Sequence, residues 1–201
     1  MEVNRSPIEP LDELNQFMDT TNIQLTDGSI LLRPPRPDDV PALTEAVHES
    51  LTELHPWMDW ATDAYDEATA RRWLEFAQLY WKHSSGFQFA VTDAVSGQYI
   101  GNFGVDGINP QSLLCNLGYW VRTGRTRQGI ASRAARLAAR FAFETAGLIR
   151  AEIVIAIGNI ASQRSAEKAG AHYEGILLKR MVVRTDVYDA VMYSLTPADF
   201  L

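Results

Sequence analysis

The chain has 201 residues, 46% of them hydrophobic and 21% charged, as is ordinary for a globular protein that can bury a core without disulfides. Its formal net charge of −7 argues against a nucleic-acid binder, whose binding surface is usually basic. The longest apolar runs, such as residues 151–157, are too short to span a bilayer, so we expect no membrane partner. The single cysteine, Cys115, excludes an intrachain disulfide and is expected to be a buried apolar residue, which favours a cytoplasmic protein.

The first part of the chain divides into a polar lead and the start of a folded region. Residues 1–22 predict a lead-in helix or a loosely held arm, and residues 23–201 predict a single domain. Residues 29–33 read as a strand. Two prolines and two aspartates at residues 37–41 are then suited to the first turn of a helix.

The remaining elements alternate in a way that indicates a mixed α/β layer fold. Residues 66–83 have helical spacing, and we expect their aromatic side chains to form a stripe in the core: Trp73, Phe76, Tyr80 and Trp81. Three strands, a helix, a buried strand, a short helix and two final strands follow. The predicted order is therefore β-α-α-β-β-β-α-β-α-β-β.

The stretch RTRQGIASRAARLAARF, residues 125–141, places cations and a glycine at the start of a helix. A helix N-terminus exposes unpaired N–H groups and carries a positive partial charge, and glycine lets another molecule approach the backbone closely. This combination suits a phosphate. After the next strand, Asn159 begins the segment NIASQRSAEKAG, where its side chain can cap a short helix.

Together these segments resemble the GNAT superfamily of acyl-CoA-dependent N-acyltransferases, in particular the RimL/RimJ group, which acetylates the N-termini of ribosomal proteins. The matching stretches are LLRPPRPDDVPAL, HPWMDW, GYWVRTGRTRQGIASRA, NIASQRSAEKAGAHYEG and DAVMYSL. The resemblance implies a mostly antiparallel sheet of about seven strands flanked by helices. It also implies a V-shaped split between the fourth and fifth strands, here the strand ending at Val121 and the strand at residues 151–157.

The resemblance also implies that acetyl-CoA is the co-substrate and that no metal takes part. The family motif for the pyrophosphate, Q/R-x-x-G-x-G/A, matches residues 126–131, although Thr126 stands where Gln or Arg is usual. We expect coenzyme A to contact Tyr119, Trp120, Val121, Arg127, Gln128, Gly129, Ile130, Ala131, Ser132, Asn159 and Arg164.

The chemistry implied is direct attack of a neutral amine on the thioester, without an acyl-enzyme. Asn159 and Ser162 occupy the family's N-x-x-S positions and are the expected catalytic residues. Many relatives carry a tyrosine where this chain has Ala166. Ser162 is therefore expected to stabilise the leaving thiolate or relay a proton, and the alternative that it only positions the pantetheine arm stays open.

No general base is evident from the sequence. Relatives carry a glutamate at one of two positions, which are Asn116 and Met181 here, and the remaining candidates are Glu53, His55, Asp59 and Glu174. Without a base, deprotonating an α-amine of pKa about 8 at pH 7 costs only ~1 kcal/mol, whereas a lysine of pKa about 10.4 costs ~4.6 kcal/mol. An α-amine is therefore the favoured acceptor, with a rate that should level off near pH 8.

The acceptor itself is left open. Trp57, Asp59 and Trp60, in the aromatic loop, are expected to contact it. The favoured function is acetylation of the N-terminal α-amine of a protein or peptide. Acetylation of a polyamine, amino sugar or antibiotic, a succinyl donor, and a coenzyme A-binding module without transfer activity are the alternatives. A homodimer is also expected, because RimL relatives are often dimers and the two closing strands can contribute an edge.

Overall fold

The computed structural model describes residues 23–201, so the expected N-terminal arm lies outside the described residues and the boundary near residue 22 stays a prediction. The strands are β1 Leu25–Thr26, β2 Ile30–Arg33, β3 Phe87–Asp93, β4 Tyr99–Asn109, β5 Leu114–Val121, β6 Arg150–Ala156, β7 His172–Val183 and β8 Asp186–Leu195. The helices are α1 Val40–Leu54, α2 Glu67–Lys82, α3 Ile130–Glu144 and α4 Ile160–Lys168. Within this part of the chain, none of the helices has the length and apolarity needed to cross a membrane.

The strands form one mixed sheet in the order β1-β2-β3-β4-β5-β6-β8-β7. Only β5 and β6 run parallel, and they pair only where Leu114–Asn116 meets Arg150–Glu152. Beyond Asn116 the two strands separate, so residues 117–121 of β5 pair with β4 alone. The predicted α/β fold and its split are confirmed. The sheet has eight strands rather than about seven, because Leu25–Thr26 pairs with β2, and the split is therefore between the fifth and sixth strands.

Each face of the sheet has its own hydrophobic core. One core packs the sheet against α3 and includes Phe103, Leu117 and Ile130. The other packs the opposite face against α1 and α2 and includes Leu74 and Trp120. Side chains alternate along a strand, so neighbouring residues of β5 enter different cores.

The prediction that the aromatic residues of α2 form a buried stripe is wrong. Trp81 is buried, but Trp73 and Tyr80 are only partly buried, and Phe76 is 50% exposed and contacts Tyr80 from outside. The buried stripe runs about one residue further round the helix and also contains Ala70, Leu74 and Ala77. Trp73 lies at the margin of this stripe and packs partly against the core, whereas Phe76 lies outside it.

Candidate active site

The expected phosphate loop has the backbone geometry of an anion site. Arg127 and Gly129, just before α3, both adopt left-handed conformations, with φ of 61° and 73°. Such residues occur in the backbone concavities that bind anions through N–H groups. Within residues 23–201, no protein group accepts a hydrogen bond from the backbone N–H groups of residues 128–131. These groups remain available to a ligand at the positive end of the helix.

Lys168, the last residue of α4, adds a cation to this loop. A Cβ placed on Gly129 would lie 3.2 Å from the Lys168 ammonium nitrogen, so the lysine covers the bare glycine. Sequence analysis missed Lys168, because a lysine in the last turn of a helix is ordinarily explained by the helix dipole. The only local feature that could have pointed to Lys168 is its spacing of four residues from Arg164, which puts the two cations on the same face of α4. Arg164 is exposed and has no ion pair within the described chain.

The other expected coenzyme A residues of this loop fall into two groups. Ile130 is buried and Ala131 is partly buried, so they offer backbone groups only. Ser132 is buried, and its hydroxyl donates a hydrogen bond to the Gly129 carbonyl at 2.9 Å, which holds the first turn of α3. The Gln128 side-chain oxygen accepts from the Arg125 guanidinium at 3.3 Å and can turn away to a ligand.

A second part of the site joins β5 to the start of α4. The Asn159 side chain caps the helix by accepting a hydrogen bond from the Ser162 backbone N–H at 3.1 Å. The Ser162 hydroxyl lies 3.0 Å from the Tyr119 phenol, 43 residues earlier in the chain. Burial raises the pKa of Tyr119, against the effect of the Ser162 hydrogen bond, so the phenol is a neutral proton donor. Sequence analysis considered Tyr119 only for coenzyme A binding, because nothing local connects it with Ser162.

The opposite face of the sheet encloses a cavity of about 350 Å³ beneath α1 and α2. Its walls are largely aromatic, formed by Trp60, Tyr65, Trp73 and Trp120. Its floor reaches the open edge of β5, where Tyr119 is part of the lining while its phenol contacts Ser162 on the other face of the sheet. Groups on both faces can therefore act on a molecule lying in the split.

The cavity floor contains a carboxylate that sequence analysis did not select. Asp106 of β4 lines the cavity, and its Oδ1 accepts a hydrogen bond from the Gln88 amide. Burial raises the pKa of Asp106 to about 6, with the Gln88 hydrogen bond opposing this effect. Asp106 is the one carboxylate among the described residues that line the cavity. Nothing in the local sequence GNFGVDGIN distinguishes Asp106 from a surface aspartate. Only the register of the strands could have identified it as a cavity residue.

The structure places the three expected acceptor residues in different surroundings. Trp60 lines the cavity and contacts the Trp120 ring, with centroids 6.0 Å apart. Trp57 lies outside this lining, where it packs edge-on against Tyr188 and touches the backbone at Gly158, next to Asn159. The Asp59 carboxylate accepts a hydrogen bond from the backbone N–H of residue 184 at 2.6 Å, which ties the aromatic loop to the β7–β8 hairpin.

None of the expected general-base candidates lines the cavity. The Arg184 guanidinium donates to the His55 carbonyl at 2.5 Å and lies 3.1 Å from the His55 ring. Glu53 accepts a hydrogen bond from the Thr123 hydroxyl. Glu174 forms a two-bond ion pair with Arg150, which lowers the pKa of Glu174 to about 2. Their partners explain these residues as structural contacts.

Within residues 23–201, no group of three or more His, Cys, Asp or Glu side chains is arranged to hold a metal ion. Cys115 is fully buried, and burial raises the pKa of its thiol to about 12, so it is not a nucleophile at neutral pH.

Known proteins resemble this chain in both sequence and architecture. YdaF of Bacillus subtilis, named as a candidate ribosomal N-acetyltransferase, is 26% identical over 172 residues, which covers 83% of this chain and 90% of YdaF. A structure described as a candidate ribosomal-protein-serine acetyltransferase from Vibrio cholerae has a TM-score of 0.78 at 25% identity, covering 88% of this chain and 99% of that one. RimL, a ribosomal L7/L12 alpha-N-protein acetyltransferase solved with coenzyme A, has a TM-score of 0.78 at 20% identity, covering 87% and 98%. The acetyltransferase (GNAT) domain family matches residues 29–172, more than half of the chain, which confirms the predicted resemblance: this chain belongs to the GNAT family of acetyltransferases.

Proposed function

We propose that this enzyme transfers the acetyl group of acetyl-CoA to the N-terminal α-amine of a protein or peptide. The amine attacks the thioester directly, without an acyl-enzyme. The observation that carries the proposal is the pairing of two half-sites across the open edge of β5. An anion-binding loop and a proton donor lie on one face, and an aromatic cavity with a carboxylate lies on the other. A cytoplasmic location is part of the proposal, because the lone buried thiol suits a reducing compartment.

The coenzyme A half-site is supported by its charge and its free backbone groups. The Lys168 ammonium beside Gly129 and the exposed Arg127 supply positive charge in a chain of net charge −7. The unpaired edge of residues 117–121 offers backbone donors and acceptors to an amide-containing arm such as pantetheine. The residues present therefore fit a nucleotide thioester.

The acceptor half-site supports a monoamine. The cavity has aromatic walls and a single carboxylate among its described lining residues, which matches one ammonium group next to an apolar side chain. Polyamines and amino-sugar antibiotics carry several cations and would need several carboxylates to replace their hydration. The names of YdaF and RimL, which concern ribosomal proteins, favour a protein N-terminus in addition.

The proposal is tested by measuring thiol release with acetyl-CoA and a panel of amines, with the products identified by mass spectrometry. We expect one acetyl group on the α-amine of peptides with an apolar first residue, and much slower reaction with polyamines, aminoglycosides and internal lysines. Preferred acetylation of a polyamine or an antibiotic would replace the proposed acceptor. Calorimetric binding of coenzyme A without thiol release from any amine would indicate a binding module instead. Succinyl-CoA in the same assay decides the acyl group.

We also propose that a second copy of the chain covers the outer edge of β7. This strand has a neighbour on one side only, and it exposes Tyr173, Ile176, Leu178 and Val182, each by half or more. A long apolar edge strand that is exposed to water would favour aggregation. A second copy of the chain that packs on β7 in a closed dimer would cover it. Sedimentation at micromolar concentration should show a dimer that Leu178→Lys converts to monomer, and a lone 22.5 kDa species for the unaltered chain would contradict this.

A further inference from the structure

At the floor of the acceptor cavity, the carboxylate of Asp106 lies beside two glycines and is not covered by other side chains of these strands. Gly104 of β4 and Gly118 of β5 face each other in the register, and Asp106 is two residues along the same strand from Gly104. Residues two apart on a strand share a face, so the Asp106 side chain rises beside two positions without side chains. A Cβ at Gly104 would collide with the Asp106 carboxylate, and one at Gly118 would lie 3.7 Å from it. The glycine pair therefore makes room for this carboxylate at the cavity floor.

The Asp106 carboxylate is held in place without being neutralised. The Gln88 amide donates to its Oδ1, which fixes the orientation of the group. No lysine, arginine or histidine within residues 23–201 forms an ion pair with Asp106. A largely buried carboxylate without a cation is costly to keep ionised, and such groups cluster at functional sites.

The groups that surround Asp106 carry little unpaired charge, so they have little effect on its pKa. Across the strand pair lies the neutral Asn116, and beyond it on β6 lies Glu152, which is paired with Arg150 at 2.9 Å. The other titratable residues of the lining are Tyr65 and Tyr119; burial raises the pKa of both, that of Tyr65 to about 12, so both are uncharged near neutral pH. The thiol of Cys115, next to Asn116, is likewise neutral because burial raises its pKa to about 12. With burial as the main cause, the pKa of Asp106 rises to about 6, within the range useful to a base at neutral pH.

We propose that Asp106 is the general base of the acetyl transfer, a role that rests on the proposed function. Its carboxylate takes one proton from the incoming ammonium group, which leaves a neutral amine with a free electron pair. That pair forms the C–N bond with the thioester carbonyl carbon, and the C–S bond breaks with its electrons going to sulfur. The second amine proton passes to the thiolate, which leaves as free coenzyme A, and Asp106 returns its proton to water. The sum is one ammonium and one thioester converted to one amide, one thiol and one released proton.

The two faces of the sheet then divide the proton transfers. Asp106 removes a proton on the cavity face, and the Tyr119–Ser162 pair supplies one to sulfur from the opposite face. The open edge of β5 lies between them, so neither group needs to cross the sheet. The second amine proton then restores the Tyr119 phenol by way of the Ser162 hydroxyl, so the net transfer is from the amine nitrogen to sulfur.

The closing experiment is the pH dependence of kcat/KM for the unaltered enzyme and for Asp106→Asn, with a peptide whose α-amine is the acceptor. The unaltered enzyme should reach most of its plateau by pH 7, because its base is ionised above about pH 6. Asp106→Asn depends on free amine of pKa about 8, so at pH 6.5 its kcat/KM should lie about 30-fold below its own high-pH plateau, rise about eightfold by pH 7.5 and level off above pH 8. Asp63→Asn, at an exposed carboxylate in the segment between α1 and α2 that is not part of the cavity lining, is the matched control and should keep the unaltered profile.

The outcomes separate this proposal from the proposed function. Asp106→Asn keeps the size and shape of the side chain, and calorimetric binding of coenzyme A checks that it folds. Asp106→Glu should restore the limb below pH 7 in part, since it restores a carboxylate. If Asp106→Asn transfers acetyl with the profile of the unaltered enzyme, Asp106 is not the base and the proposed function stands. If the unaltered enzyme releases no thiol with any amine, both proposals fail together.

Discussion

Replacing Asp106 by Asn should stabilise the protein at alkaline pH while it slows the reaction. Burial holds the pKa of Asp106 near 6 in the folded protein, above its ordinary value of 3.8 in an unfolded chain. The folded state therefore binds this proton more tightly than the unfolded state does. As pH rises from about 4 through 6, the folded state must ionise a buried carboxyl, and the free energy of unfolding falls. An asparagine at the same place avoids that cost.

The size of the effect follows from the two pKa values. Their difference corresponds to about 3 kcal/mol of lost stability once both states are ionised, an upper figure because the cavity admits water. Most of this is lost between pH 4.5 and pH 8, where the change is about 2 kcal/mol. The introduced amide keeps the Gln88 hydrogen bond, and the Oδ1 of the facing Asn116, buried and unpaired among the described residues, is available to accept from it.

Urea unfolding at pH 4.5 and pH 8 measures this directly. Asp106→Asn should be more stable to urea than the unaltered protein at pH 8, by up to about 3 kcal/mol, with an advantage about 2 kcal/mol smaller at pH 4.5. Asp63→Asn, the same substitution at an exposed side chain, is the control for any general effect of replacing an aspartate. An advantage of equal size at both pH values, or a loss of stability at pH 8, would refute the account of a buried and ionisable Asp106.

The remaining predictions concern the coenzyme A side. Gly129→Glu should abolish coenzyme A binding in calorimetry because it adds bulk and negative charge, whereas Gly129→Ala, with the same φ of 73° to strain it, should keep measurable affinity. Lys168→Ala should weaken binding about tenfold through the lost cation, and unchanged affinity would remove Lys168 from the site. Ser162→Ala and Tyr119→Phe should each lower kcat about ten- to a hundred-fold with little change in the KM for acetyl-CoA, and the double variant should be hardly slower than either. A rise in KM alone would mean that the pair only positions the pantetheine arm.

Local patterns in the sequence were enough to predict much of this molecule. The order of helices and strands after β1 and the glycine loop before α3 follow from periodicity and from short motifs whose residues act on their own neighbours, whereas the split was implied by the family resemblance. The Asn159 cap on Ser162 is another such case, because both residues belong to one helical turn. The aromatic stripe of α2 failed for the opposite reason. Helical spacing shows which side chains share a face, and only packing against the sheet decides which face is buried.

What the tertiary structure decided is where distant residues meet. Strand register brings Asp106 to the floor of the acceptor cavity beside two glycines, and no spacing along the chain shows this. The hydrogen bond between Tyr119 and Ser162 spans 43 residues, and the contact of residue 184 with Asp59 spans 125. The sequence alone indicated the family, through motifs spread along the chain, and the glycine loop before α3, whose backbone conformation depends on a few adjacent residues. The proposed base, the proposed proton donor and the structural contact of Asp59 depend on burial and partners that exist only once the sheet has formed.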